Sequence, residues 1–190
     1  MKFAILSCLG VLLYSASTLA QAEGGLAQTA EIQVAGTLLE SACYLDPASA
    51  YQILQVGDLS TARMARIGDQ GAPLALQLKL QGCVRSEGGR QDQAHGVLVW
   101  SAIEPVATLT FSAVADADSP ELIKVSGAEG FGLRLLDGQG NDVHLGREAP
   151  TWFVSPGDNH LTYYIRPQRT AAPLRPGSFH ASLNVNLAYD

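Results

Sequence analysis

Two cysteines, four histidines, a pair of aspartates and two tryptophans are the residues of this chain best placed to do chemistry. Of its three cysteines, Cys8 lies in an apolar leader, which leaves Cys43 and Cys83 as the only thiols of the remainder. In an oxidising compartment an isolated pair reads as a disulfide, here closing a loop of about forty residues worth about 4 kcal/mol. A metal or redox site is the competing reading. Against it, no Cys-x-x-Cys is present, and His95, His144, His160 and His180 show no ligand spacing. Asp116 and Asp118 have the spacing that opens a calcium loop. Pro120, Glu121 and Gly127 then stand where the third ligand, the turn glycine and the bidentate carboxylate belong, so the pair reads as solvated loop carboxylates. Gly127-Ala-Glu-Gly-Phe-Gly132 is glycine-rich but leads into a strand, without the strand-to-helix context of a phosphate loop. With no Gly-x-Ser-x-Gly and no free cysteine, the reading contains no catalytic residue, no metal ligand and no cofactor. Trp100 and Trp152 could stack a sugar. Trp100 ends an apolar strand pattern and reads as core; Trp152, near Pro156-Gly157, is more open and also reads as packing. Tyr163-Tyr164 puts one ring on each face of a strand.

The elements that would position these residues are strands. Period-two or β-branched runs recur at 51–56, 73–81, 97–101, 107–113, 131–136, 142–145, 160–166 and 178–189. Turn chemistry separates them at Gly88-Gly89, Asp137-Gly138, Ser155-Pro156-Gly157-Asp158 and Arg175-Pro176-Gly177. No long helical period follows the leader. The expectation is an all-β sandwich of roughly seven to nine strands, in one domain.

The last of these runs is the most one-sided. Phe179, Ala181, Leu183, Val185, Leu187 and Tyr189 share one parity; His180, Ser182, Asn184 and Asn186 share the other. Nothing follows it that could pair with its far side, so its free edge needs a neighbour from elsewhere in the chain or from another molecule. A second alternating stretch, Leu26, Gln28, Ala30, Ile32 and Val34, lies near the other end.

Lys2, the apolar run Phe3–Leu13 and Ala20-Gln21-Ala22 read as a secretory signal peptide over 1–22. The apolar run is short for a membrane span. Without Lys2, eleven basic residues face eighteen acidic ones, a net charge of −7, which disfavours nucleic acid and anionic lipid as partners.

Together these features resemble the pilin subunits of chaperone–usher fimbriae of Gram-negative bacteria, the type 1 and P pilus family, over nearly the whole mature chain. The resemblance is carried by Gly36-Thr-Leu-Leu-Glu-Ser-Ala-Cys43, Val56-Gly57-Asp58-Leu59 and Leu76-Gln-Leu-Lys-Leu-Gln-Gly-Cys83. Gly132-Leu-Arg-Leu-Leu-Asp-Gly138 adds to it, as do a glycine fourteenth from the end and a tyrosine second from the end, Gly177 and Tyr189. It implies an incomplete immunoglobulin-like sandwich lacking its last strand, with a disordered donor-strand extension over 23–35 before a pilin domain over 36–190. Leu26, Gln28, Ala30, Ile32 and Val34 would be offered to a neighbour's groove. Gly177, Phe179, Ala181, Leu183, Val185, Leu187, Tyr189 and Asp190 would form the acceptor groove and chaperone-binding surface. The implied partners are a periplasmic pilus chaperone, an outer-membrane usher and neighbouring subunits, on a route through the periplasm to a cell-surface fimbrium.

Two residues depart from the family pattern: Ala30 stands where the family carries a glycine, and Gln28 where an apolar anchor is usual. Either the register shifts toward Gly24 or Gly25, or the donor strand is selective, as suits a minor or adaptor subunit supporting adhesion. A chain terminator or anchor is the alternative. A receptor-binding tip module would need a lectin domain for which the chain has no room, and a periplasmic enzyme would need a polar constellation that it lacks.

Overall fold

Leu76, Leu78 and Leu80 are buried while the residues between them are not, the alternation expected of a strand with one covered face. The computed structural model describes residues 33–34, 41–92 and 95–189. The expected signal peptide, 1–22, and the expected donor positions Leu26, Gln28, Ala30 and Ile32 lie outside them, as does Asp190. The chain divides into units Met1–Leu38 and Leu39–Asp190, and the fold below is that of the second.

In chain order the strands are β1 Tyr44–Leu45, β2 Leu74–Cys83, β3 Gly88–Gln91, β4 Leu98–Ser101 and β5 Val106–Ser112. They continue as β6 Ile123–Lys124, β7 Phe131–Leu136, β8 Trp152–Phe153, β9 Gly157–Arg169 and β10 Asn184–Tyr189. One sheet has the order β1-β2-β9-β7-β6 and the facing one β10-β5-β8, while β3 and β4 form a separate hairpin. All pairings are antiparallel. The order matches the A-B-E-D and F-C rows of an immunoglobulin sandwich, with no strand in the place of G among the described residues. The core lies between the sheets. Leu80, Leu109 and Phe111 are fully buried, and Phe111 meets Tyr163 edge-to-face with centroids 4.7 Å apart.

Several expected strands are altered. The run at 178–189 is a strand only from Asn184, because 175–180 is drawn to another partner: His180 bridges Ser126 and Arg175 bridges Glu129. Residues 51–56 and 56–59 form no strand. The stretch 142–145 makes one bridge, Leu136 to Asp142, because the Asp137 carboxylate folds the turn on itself by accepting from the amides of Gln139 and Asn141. Gly88 and Gly89, read as a turn, lie inside β3. Trp100 is 63% exposed rather than buried, since the β3–β4 hairpin stands outside the sandwich and the indole rests on Gly89.

Candidate functional site

A groove of about 1100 Å³ runs along the sandwich between two lengths of chain, each with a stretch of backbone that no described residue pairs with, although Arg175 and His180 of the second are bonded to Glu129 and Ser126. The first is the extended segment 51–59. Leu54 and Leu59 turn inward onto the core, but its backbone makes no backbone hydrogen bond to any described residue. It is tethered instead by a side chain: the Gln52 amide nitrogen donates to the carbonyl of Gln77 on β2 at 2.9 Å. The second is 174–185 running into β10, which pairs with β5 on one side and with no described strand on the other. Leu76, Leu78, Leu133 and Ile165 supply the apolar floor. Two open backbone edges facing across an apolar floor can accept an extended chain by main-chain hydrogen bonding, with alternate side chains seated below.

The burial of β10 shows what is missing. Val185, Leu187 and Tyr189 pair directly with Phe111, Leu109 and Ala107, and so share their core-facing side. Those three β5 residues are completely buried, flanked by β10 and by β8 or the loop 146–149 before it; Val185 remains 36% exposed, and Leu187 and Tyr189 are half-buried. On its other side β10 has no lateral neighbour among the described residues, and the apolar face is correspondingly open.

Of the expected acceptor residues, Gly177, Phe179, Ala181, Leu183 and Val185 line the groove together. Phe179 is held by an edge-to-face contact with Phe131, centroids 4.9 Å apart. Leu187 and Tyr189 lie beyond the groove, packed against the core. Burial pushes the Tyr189 phenol up to about 12, and its hydroxyl is enclosed with no hydrogen-bond partner among the described residues. Gly177 also faces Gly127 (φ +97°) across the antiparallel crossing, and a Cβ on either glycine would collide with the other strand's carbonyl. Of the expected donor residues Val34 is described, and it is 92% exposed.

Cys43 and Cys83 are disulfide-bonded. The bond fixes the start of β1 to the end of β2, assisted by the Val84 amide donating to the Ala42 carbonyl at 2.8 Å. Asn159 Nδ2 donates to Cys83 Sγ at 3.3 Å. Asp116 is spent on a turn, its carboxylate accepting from the amides of Asp118 and Ser119. Arg134 clamps Asp142 through two nitrogens; these hydrogen bonds, more than proximity of charge, hold the Asp142 carboxyl below the usual carboxylate range and push Arg134 up.

The first bank of the groove was hard to foresee, because residues 51–59 alternate like any strand. The inverse signal was present in Gly127, four residues before the start of β7 in a glycine-rich stretch with no phosphate-loop context, whose partner Gly177 lies fifty residues away.

Residues 32–190 match the profile of a family described as fimbrial protein. The chain is 26% identical over 162 residues to "Fimbria A protein" of Serratia marcescens, covering 84% of this chain and 83% of that protein. Among solved structures it is similar to the P pilus rod subunit PapA, with TM-score 0.63, 21% identity, and coverage of 79% of this chain and 100% of that one. A chaperone–usher pilus structure gives TM-score 0.64 at 20% identity, covering 86% and 97%.

Proposed function

Because the chain belongs to the fimbrial protein family, we propose that it is a structural subunit of a cell-surface fimbria that polymerises by donor-strand exchange. The observation that carries this reading is the open groove, with an unpaired backbone edge on each bank and an apolar floor between them. In the periplasm a chaperone strand fills it; at the outer-membrane usher, residues 23–35 of the next subunit take the chaperone's place. Each ladder hydrogen bond formed contributes about 0.5–1.5 kcal/mol. Leu26, Ile32 and Val34 contribute about 2 kcal/mol each when buried. The gain must exceed about 1–2 kcal/mol of backbone entropy for each donor residue ordered.

Gln28 and Ala30 supply less apolar surface than an aliphatic anchor at the same places. A donor strand of this kind discriminates between grooves more than it maximises grip, and it suits a minor or adaptor subunit. The work of the subunit is mechanical rather than catalytic.

Deleting residues 23–35 tests the proposal. The truncated chain is expected to fold with the chaperone and to be absent from fibres at every position that must donate a strand. Its recovery throughout the fibre would overturn the reading.

A further inference from the structure

A second cavity, of about 160 Å³, shares no lining residue with the groove; Gly138, Trp152, His160, Leu161, Thr162 and Tyr163 line it. It exists because β9 outruns one neighbour. β9 pairs with β2 from Gly157 to Ile165, but β7 ends at the pair Leu136–Tyr164. Past that point the chain of β7 leaves through the turn capped by Asp137, and the β9 edge at 160–162 has no described strand beside it.

The direction of its backbone groups follows from the register. On the β2 side, the Pro167 carbonyl accepts from the Gly71 amide at 2.9 Å, and the Arg169 amide donates to the Asp69 carbonyl at 2.9 Å. Odd-numbered residues of β9 therefore aim toward β2. Alternation sends the N–H and C=O groups of His160 and Thr162 toward the open edge. The position of Gly138 agrees, since a Cβ there would stand 3.2 Å from the Thr162 carbonyl oxygen. No described residue supplies these groups with a backbone partner. The Trp152 side chain forms a wall. Burial pushes the Tyr163 phenol up, and its enclosed hydroxyl has no hydrogen-bond partner among the described residues, so that ring stays a neutral part of the lining.

We propose that this cavity binds a single neutral pyranose ring, the terminal residue of a glycan, with its hydroxyls on the His160–Thr162 edge and its C–H face on Trp152. The volume suits one six-membered ring: a 150 Å³ cavity is known to accept benzene. The open donors and acceptors alternate along one short edge, which neighbouring hydroxyls satisfy because each hydroxyl both donates and accepts. No Asp, Glu, Lys or Arg lines the cavity, so a charged ligand would lose hydration without compensation. Two residues of open edge are too few to hold an added strand, which sets the cavity apart from the groove. Binding here requires no strand in the groove and is separable from polymerisation.

The test is an NMR titration of the isotope-labelled full chain with methyl β-galactopyranoside, methyl α-mannopyranoside and methyl β-glucopyranoside in turn. At least one is expected to shift the amides of His160, Leu161 and Thr162 together with the Trp152 indole, with a Kd on the order of 1–10 mM. Trp152→Ala is expected to weaken binding at least about tenfold, since it removes the stacking surface. Because Trp152 also packs on the core, Gly138→Ser is the second variant. It crowds the Thr162 carbonyl from the surface and is expected to abolish the shifts while the rest of the spectrum stays in place. The proposal is overturned if none of the three glycosides moves these signals, or if the shifts persist unchanged in Gly138→Ser.

Discussion

Replacing Gly177 with alanine places a methyl group against the carbonyl oxygen of Gly127, closer than real Cβ atoms approach. The obstacle is backbone on both sides, so the crossing must open. Four hydrogen bonds hold it: Ser126 and His180 exchange a pair at 2.9 and 3.0 Å, and Glu129 and Arg175 exchange a pair at 3.1 Å each. At about 0.5–1.5 kcal/mol apiece they amount to about 2–6 kcal/mol. The Phe179–Phe131 contact that depends on the same crossing adds about 0.5–1.5 kcal/mol. Partial relaxation leaves an expected cost of about 3–5 kcal/mol, a large share of the ~5–15 kcal/mol of a typical domain. Urea unfolding followed by circular dichroism reads this as a midpoint lower by about 1.5–2.5 M, at a slope near 2 kcal/mol/M. Gly127→Ala meets the Ser178 carbonyl from the other side at φ +97° and is expected to cost at least as much. Gly57→Ala is the control: φ is +71° but nothing lies within 4 Å, so backbone strain of about 1–2 kcal/mol is the whole cost. If Gly177→Ala unfolds at the wild-type midpoint while fibre assembly fails, the residue is solely a partner-binding one and the reasoning is wrong.

Removing the disulfide by Cys43→Ser with Cys83→Ser is expected to cost about 4 kcal/mol, and a melting scan should fall by about 8–16 °C. A drop of under about 3 °C would contradict it. Asp142→Asn is expected to cost about 0.5–1 kcal/mol at neutral pH, held low by solvent screening because both partners of the Arg134 clamp are partly exposed. The folded carboxyl titrates below its unfolded value of about 3.9, so this stabilisation is complete above that pH and disappears as pH falls through the depressed folded value. Chemical denaturation should therefore show wild type and variant converging in acid, and a gap that widens in acid would refute the assignment. Trp100→Ser is expected to change the urea midpoint by less than about 0.3 M, because the indole is 63% exposed; a core tryptophan would cost several kcal/mol.

Legibility followed the range of the interactions. β2 and β7 could be read from the chain because each buries one regular face: Leu76, Leu78 and Leu80 in the one, Leu133 and Leu135 in the other. The Cys43–Cys83 bond needed only a count of thiols and a compartment. β10 was overextended because local alternation from Phe179 onward does not reveal that His180 is bonded to Ser126, more than fifty residues earlier. Residues 51–59 carry strand periodicity for an edge that no described residue pairs with; alternation reports a covered face, not a hydrogen-bonded neighbour. Val97–Trp100 has the composition of a core strand, yet its hairpin partner β3 is polar and glycine-rich and offers no second layer to bury it. That Phe179, Leu183 and Val185 would share one apolar face was thus legible, while the bank at 51–59 was visible only as a strand.

A cryo-electron microscopy map of the assembled fibre tests the central claim most directly. The account predicts residues 26–34 of each subunit lying extended in the groove of the preceding one, hydrogen-bonded to β10 on one side and to 51–59 on the other, with Val34 and its same-parity neighbours seated over the floor. A fibre whose grooves are empty, or closed by each subunit's own N-terminal segment, would contradict it.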